Sequence, residues 1–252
     1  MVMPRVVTAE TLDGLSEDDP AAMRSRRDLQ RIHRVMGTCG IVGRALRAVT
    51  ASRPGPARLR MLELGAGDGS LMLGVAKSLK REFPAVDLTL LDRQNLVTPA
   101  VVAGYASVGW SAASQVMDVF DWAAGKGVPP PARHAPAGWD VIVSNLFLHH
   151  FDAAPLALLL AAVASRTTRF VACEPRRAPL ALAGSRLVGA LGANAVTRED
   201  AVLSVHAGFR GHEIGALWPL TGARWITDEY SAGLFSHCFC AERARVPGAG
   251  AP

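Results

Sequence analysis

Apolar and polar positions along the chain fall into two kinds of run. Short, almost continuous apolar stretches stand at Arg58 to Leu64, Val86 to Leu91, Ser114 to Trp122, Trp139 to Val143 and Thr168 to Cys173. Such runs are what strands buried on both faces of a sheet produce. Between them lie stretches with helical spacing: Leu71, Leu73, Val75 and Leu79, then Ala154 to Ser165, Leu182 to Gly192, and Val196 to Val202 with Thr197 as its cap. Strand and helix in alternation predict a mostly parallel sheet with helices on both faces. The end of the chain differs. Arg224–Tyr230 and Leu234–Glu242 alternate with period two and join through Gly233, which predicts a terminal antiparallel hairpin.

Ahead of the first strand, residues 1–18 read as a loose lead-in. Asp18-Asp19-Pro20 then predicts a helix start, with an Asp cap and Pro in the first turn. Met23, Leu29, Ile32, Val35 and Met36 make an apolar stripe that Gly37 and Gly40 interrupt, and Ile41 to Thr50 restarts it. Pro54-Gly55-Pro56 reads as a linker, and the proline-rich stretch from Gly125 to Gly138 as a surface loop. The pattern divides the chain into a helical lid at 1–53, an α/β domain at 54–245 and a disordered tail at 246–252.

Composition narrows the class. The 252 residues are half apolar, enough for one α/β domain with a real core. The net charge of +5 comes from arginine, since Lys77, Lys80 and Lys126 are the only lysines. Arg24, Arg26, Arg27, Arg31 and Arg34 fall on the lid helix, where a solvated face is the plain reading. Cys39, Cys173, Cys238 and Cys240 form no C-x-x-C pair, as reduced thiols of a cytoplasmic protein would not. The apolar runs are too short or interrupted to span a bilayer, and the start of the chain lacks the apolar core of a signal peptide.

The chemistry concentrates in Glu63-Leu64-Gly65-Ala66-Gly67-Asp68-Gly69-Ser70, where a strand turns through three glycines into a helix. That turn lets a nucleotide-like ligand lie on the backbone. A dinucleotide fingerprint needs glycine where Ser70 stands. Glu63 would repel a pyrophosphate and suits a ligand carrying an ammonium and a sulfonium. Asp92, 23 positions beyond Gly69, ends the second strand where such folds place the carboxylate for ribose hydroxyls.

The E-x-G-x-G-x-G turn, Asp92, Asp118 and the run from Trp139 to Phe151 together resemble the class I S-adenosylmethionine (SAM) methyltransferases, from Leu59 to about Glu242. The resemblance implies a Rossmann-like seven-stranded sheet and a SAM site made of Glu63, Gly65, Ala66, Gly67, Asp68, Gly69, Asp92, Arg93 and Asn145. In that pattern Asp118 accepts from the adenine amino group while Val119 covers the ring. Asn145-Leu146-Phe147-Leu148-His149-His150 resembles motif IV of small-molecule methyltransferases and lacks the Asn/Asp-Pro-Pro-aromatic signature of enzymes acting on adenine or glutamine. His149 or His150 is then the candidate base, since imidazole titrates near neutral pH, with His206 and His212 behind them. Glu174, Arg176 and His33 are candidate substrate contacts. No metal site is expected, because the adjacent histidines of His149-His150-Phe151-Asp152 rarely point at one ion.

The lid helix leading to Met36-Gly37, and the block from Arg198 to Trp218-Pro219, resemble a bacterial subgroup linked with type III polyketide and phenolic-lipid pathways. The implied acceptor is a small phenolic or polyketide-like molecule, with no nucleic acid or stable membrane insertion and a homodimer left open. Two other readings stand beside it: a non-catalytic SAM-fold partner subunit and an NAD-dependent oxidoreductase.

Overall fold

The computed structural model describes residues 3–51, 58–83, 85–126, 138–219 and 224–244. The expected linker at 54–56, most of the proline-rich loop and the expected tail lie outside them. Seven strands build one sheet: β1 (Leu59–Leu64), β2 (Val86–Asp92), β3 (Trp110–Val116), β4 (Val141–Asn145), β5 (Arg169–Pro175), β6 (Trp225–Ala232) and β7 (Ser236–Arg243). Their order is β3-β2-β1-β4-β5-β7-β6. β1 to β5 pair in parallel, and the terminal hairpin β6–β7 adds antiparallel against β5. The order reverses between β1 and β4. At such a switch point the crossover helices leave on opposite faces, which opens a crevice at the carboxyl ends of the two strands.

Two apolar cores sandwich the sheet. On one face Met61, Val86, Val143 and Cys173 pack against Val42 and Leu46 of α3 (Thr38–Thr50) and Val75 and Leu79 of α4 (Ser70–Leu79). On the other, Leu62, Leu64, Ile142 and Phe170 meet Leu156, Leu160 and Val163 of α7 (Ala153–Arg166). Neighbouring residues of β1 serve opposite cores because side chains alternate along a strand. With both faces covered, β1 and β4 are mostly apolar, which makes them legible in sequence, and Glu63 and Asn145 stand out near their carboxyl ends.

The first lid helix, α2 (Pro20–Met36), starts as its sequence requires: Asp19 accepts from the backbone N–H groups of Ala21 and Ala22 at 2.7 and 3.2 Å. Gly37 ends it with φ 68°. Arg24, Arg27, Arg31 and Arg34 are exposed, while Ser25 and Asp28 dock on the start of α9 (Ala195–Ala207). There the Asn194 N–H donates to Asp28 at 2.7 Å, and Asn194 Oδ1 caps α9 by accepting from Thr197 N–H. Thr197, expected as the cap, is the residue being capped.

Three local expectations change. The N-terminal lead-in is tied down: it carries a short helix, α1 (Thr11–Gly14), and Asp200 accepts from the N–H groups of Thr11 and Leu12 at 2.8 and 2.9 Å. β3 starts four residues earlier than its apolar pattern suggests and ends at Val116, because this edge strand is largely exposed and carries little apolar signal. Asp118 to Trp122, read as strand, is an Asp cap and the start of the helix α6 (Val119–Ala123). The helix after β5, α8 (Pro179–Arg186), begins at a proline and hands over to a 3-10 turn at Val188–Leu191.

Candidate active site

The glycine turn after β1 forms the floor of the crevice. Gly65, Gly67 and Gly69 have φ of 67°, 55° and 73°, a region open to glycine and costly for other residues. A side chain on Gly65 would lie 2.3 Å from the Phe147 ring, so the segment after β4 rests directly on the turn. Above Gly67 nothing lies within 4 Å. A ligand can therefore approach the backbone there.

Below that opening sits Glu63, 2% exposed, with no hydrogen-bond partner for Oε2 among the described residues. Burial, reinforced by Asp68 and Asp92, pushes its pKa well above the usual carboxylate range. A buried acid left in this state is costly unless a cation or donor meets it. Asn145, at the end of β4, also buries an Oδ1 without a partner among the described residues. The next residue, Leu146, has φ 50°, a strained conformation for a leucine.

Asp92 Oδ2 accepts from the Gly67 N–H at 2.8 Å and Oδ1 from the Gln94 N–H at 2.9 Å. Each oxygen keeps a second lone pair for a hydroxyl, so the carboxylate is positioned before any ligand arrives. Asp118 is exposed and accepts from the Phe120 N–H at 2.7 Å. Val119 packs its side chain into the core beside Trp122 and covers no open surface, because it is the first residue of α6 and faces the sheet. Asp68 accepts from the Ser70 N–H at the start of α4 at 2.9 Å and from Gln30 of the lid at 2.7 Å. Arg93 reaches to Asp13 of the N-terminal segment.

At the acceptor end, His149 and His150 lie on a 3-10 turn, Leu148–His150, directly after β4. Glu174, at the end of β5, is fully buried and accepts from the N–H groups of Phe147, Leu148 and His149. Its Oε2 also lies 2.9 Å from His149 Nδ1. Glu174 therefore builds the turn. It is enclosed away from the surface, which does not suit the substrate contact read from sequence.

His149 Nε2 faces Glu10 Oε1 of the N-terminal segment at 3.2 Å. Burial alone would lower the His149 pKa, but hydrogen bonds from Glu10 and Glu174 outweigh it and raise the pKa to about 9. A ring held on both nitrogens in this way does not suit a base. His150 is different. Burial and the neighbouring charge on His149 lower its pKa, and its Nδ1 lies 3.2 Å from Asp13 Oδ2.

The N-terminal segment that brings Glu10 and Asp13 is held by Arg5, which donates to the carbonyls of Ala207 at 2.8 Å and Phe151 at 2.9 Å. These two acids are site residues that sequence reasoning missed. Their only signal is a pair of acids three apart in Glu10-Thr11-Leu12-Asp13. His33, near the end of α2, has a buried Nδ1 without a partner among the described residues, and burial lowers its pKa to about 4. Arg176 joins the backbone of Phe235, while Arg177 is buried against Glu213.

The glycine turn, Glu63, Asp92 and Asn145 thus fit the SAM implied by the sequence resemblance: an acid for an ammonium group, a carboxylate for a diol, and open space over the backbone. No family model and no curated protein matches the sequence. Among solved structures, the chain is similar to the plantazolicin methyltransferase BpumL in complex with a monoazolic desmethylPZN analog and SAH, with TM-score 0.56 and 13% identity over 90% of this chain and 91% of that one. The plantazolicin methyltransferase BamL, also with SAH, gives 0.55 and 13% over 92% and 93%. The CurJ carbon methyltransferase gives 0.54 and 14%, covering 82% of this chain and 54% of that one. At these identities the likeness speaks for architecture: the chain has the class I methyltransferase fold.

Proposed function

We propose that the protein transfers a methyl group from SAM to a small-molecule acceptor, at a hydroxyl or ring carbon of a phenolic or polyketide-like compound. The observation that carries this reading is Glu63, a buried acid next to the open glycine turn with no partner on Oε2 among the described residues. The ammonium group of SAM supplies the cation such an acid lacks. A pyrophosphate would meet like charge there, which counts against a nicotinamide cofactor.

When bound, SAM supplies a methyl group already activated on sulfonium. The chain then has to bind, orient and exclude water. Glu63 and Asn145 hold the amino-acid end, Asp92 the ribose hydroxyls, and Asp118 with the backbone at Val119 the adenine edge. Gly65 and Gly67 let the ligand lie on the backbone, with Ala66 between them. Asp68 acts one step back by fixing the turn and the lid, and Arg93 by fixing the N-terminal segment. His149 and His150 face the acceptor. Arg176 and His33 are the proposed outer contacts of the substrate. The place of work is the cytoplasm.

Calorimetric titration with S-adenosylhomocysteine (SAH), beside NAD(H) and with Asp92→Ala as control, tests the reading. Micromolar SAH binding that weakens sharply in the variant is the expected result. Binding of NAD(H) alone would overturn it.

A further inference from the structure

We infer that Glu10, His149 and His150 form a binding site for one divalent transition-metal ion at the acceptor end of the crevice. One ligand atom from each of the three residues lies within 4.8 Å of the others. The ligand class is a first-row cation that accepts two imidazoles and one carboxylate, such as Zn²⁺ or Co²⁺.

The argument starts at His149. Glu174 Oε2, an acceptor, lies 2.9 Å from Nδ1, so Nδ1 carries the hydrogen and donates it. That leaves the Nε2 lone pair facing Glu10 Oε1, a second acceptor, at 3.2 Å. Two lone pairs cannot face one another without a cation between them. A second ring proton serves for these two atoms alone. It does nothing for His150, whose ring lies 4.2 Å from the ring of His149. A metal ion uses all three.

One distance already matches coordination: donors about 2.1 Å from a common ion, at tetrahedral or octahedral angles, stand roughly 3.0–3.4 Å apart, and Nε2 to Oε1 is 3.2 Å. The set of three lies within 4.8 Å and closes around an ion by side-chain adjustment. Adjacent histidines normally diverge. Here the 3-10 turn and the three backbone amides gathered by Glu174 tilt the two rings to an interplanar angle of 33°. Glu174 on His149 is also the carboxylate partner that metal-bound imidazoles characteristically have behind them. Asp13, 3.2 Å from His150 Nδ1, stands in the same relation to the second ring or supplies a fourth oxygen.

The surrounding charges leave room for a cation. Three acids, Glu10, Asp13 and Glu174, meet two fixed cations: Arg93 pairs with Asp13, and Arg5 donates to the His149 carbonyl at 3.3 Å. Glu10 also accepts from the Ser204 hydroxyl, which orients it. His149 and Glu10 are 3% and 12% exposed, so water competes weakly. This revises the sequence expectation of no metal, which rests on the divergence of adjacent histidines and weighs only Asp152 as their partner. The third ligand comes from the N-terminal segment.

The site rests on the methyltransferase reading only for its purpose, which is to hold and polarise the acceptor oxygen. Its existence is tested without any acceptor. Tag-free full chain, stripped with chelator, is titrated with Co²⁺ by absorption and with Zn²⁺ by calorimetry, and SAH binding to the stripped chain is measured in parallel. The expected result is one ion per chain, bound 10–100-fold more weakly by Glu10→Gln and His150→Ala, with SAH binding kept as the sign that each variant is folded. Equal binding by wild type and variants would overturn the site. So would no binding, together with an NMR signature of His149 protonated on both ring nitrogens. Loss of SAH binding in every sample would sink the cofactor reading and leave the metal result standing by itself.

Discussion

Glu63 and His149 are both buried and ionisable, and they stand at opposite ends of one crevice, yet the fold treats them in opposite ways. Glu63 has the acids Asp68 and Asp92 beside it and one oxygen without a partner among the described residues. His149 is held on both ring nitrogens by carboxylates from distant parts of the chain. An unpartnered buried acid stores a cost that a ligand can relieve. A fully partnered imidazole instead fixes the structure around it. One end of the crevice carries an unmet charge, and the other has its side chains already fixed in place.

This contrast can be broken from either side. The largest effect is expected at the holding end: Glu174→Ala removes the acceptor for three amides and one imidazole. The loss of stability should be about 3–5 kcal/mol, read by chemical denaturation. Next comes Glu63→Gln, which should weaken SAH binding on the order of 100-fold, as removal of one member of a buried charge pair does. The same change should make the ligand-free protein more stable, by about 1 kcal/mol or more at neutral pH. A parallel loss of both would show that Glu63 is merely structural.

The pH dependence sharpens that second test. The folded-state pKa of Glu63 is raised, so the folded state favours the protonated acid. Its contribution is fully present below the ordinary carboxylate range and is lost as pH rises through the raised value. The advantage of Glu63→Gln in thermal denaturation should therefore grow from pH 5 to pH 8, and a constant gap would count against the burial argument. The smallest effect belongs to Gly67→Ala. It adds a methyl group where nothing lies within 4 Å, so only the backbone angle resists, at about 1 kcal/mol. Gly65→Ala, against Phe147, should cost clearly more by the same measurement.

The binding end was legible in the sequence and the holding end only in part. Glu63, the glycines and Asp92 lie within one strand–turn–helix–strand unit, where spacing along the chain fixes spacing in space. His149 and His150 were legible as a motif, but their protonation was not. It depends on Glu10, 139 positions away, and no periodicity connects the two. The N-terminal segment read as loose because it has no apolar stripe. What ties it down is polar: Arg5 to carbonyls, Asp200 to the amides of Thr11 and Leu12. Asp118 was placed on a strand because the exposed edge strand β3 gives a weak pattern, and the cap that begins α6 was mistaken for its continuation.

The docking of Thr11 on Asp200, across 189 positions, also has a consequence for biosynthesis. The segment around Thr11 leaves the ribosome well before its anchor at Asp200, which emerges after most of the sheet. At roughly 5–20 residues per second, the N-terminal segment waits about ten to forty seconds before its partner exists. During that interval the parallel strands β1 to β5 can already assemble. Closure of the acceptor end is thus a late event in the life of each new chain, and the crevice is open to small molecules before it is finished.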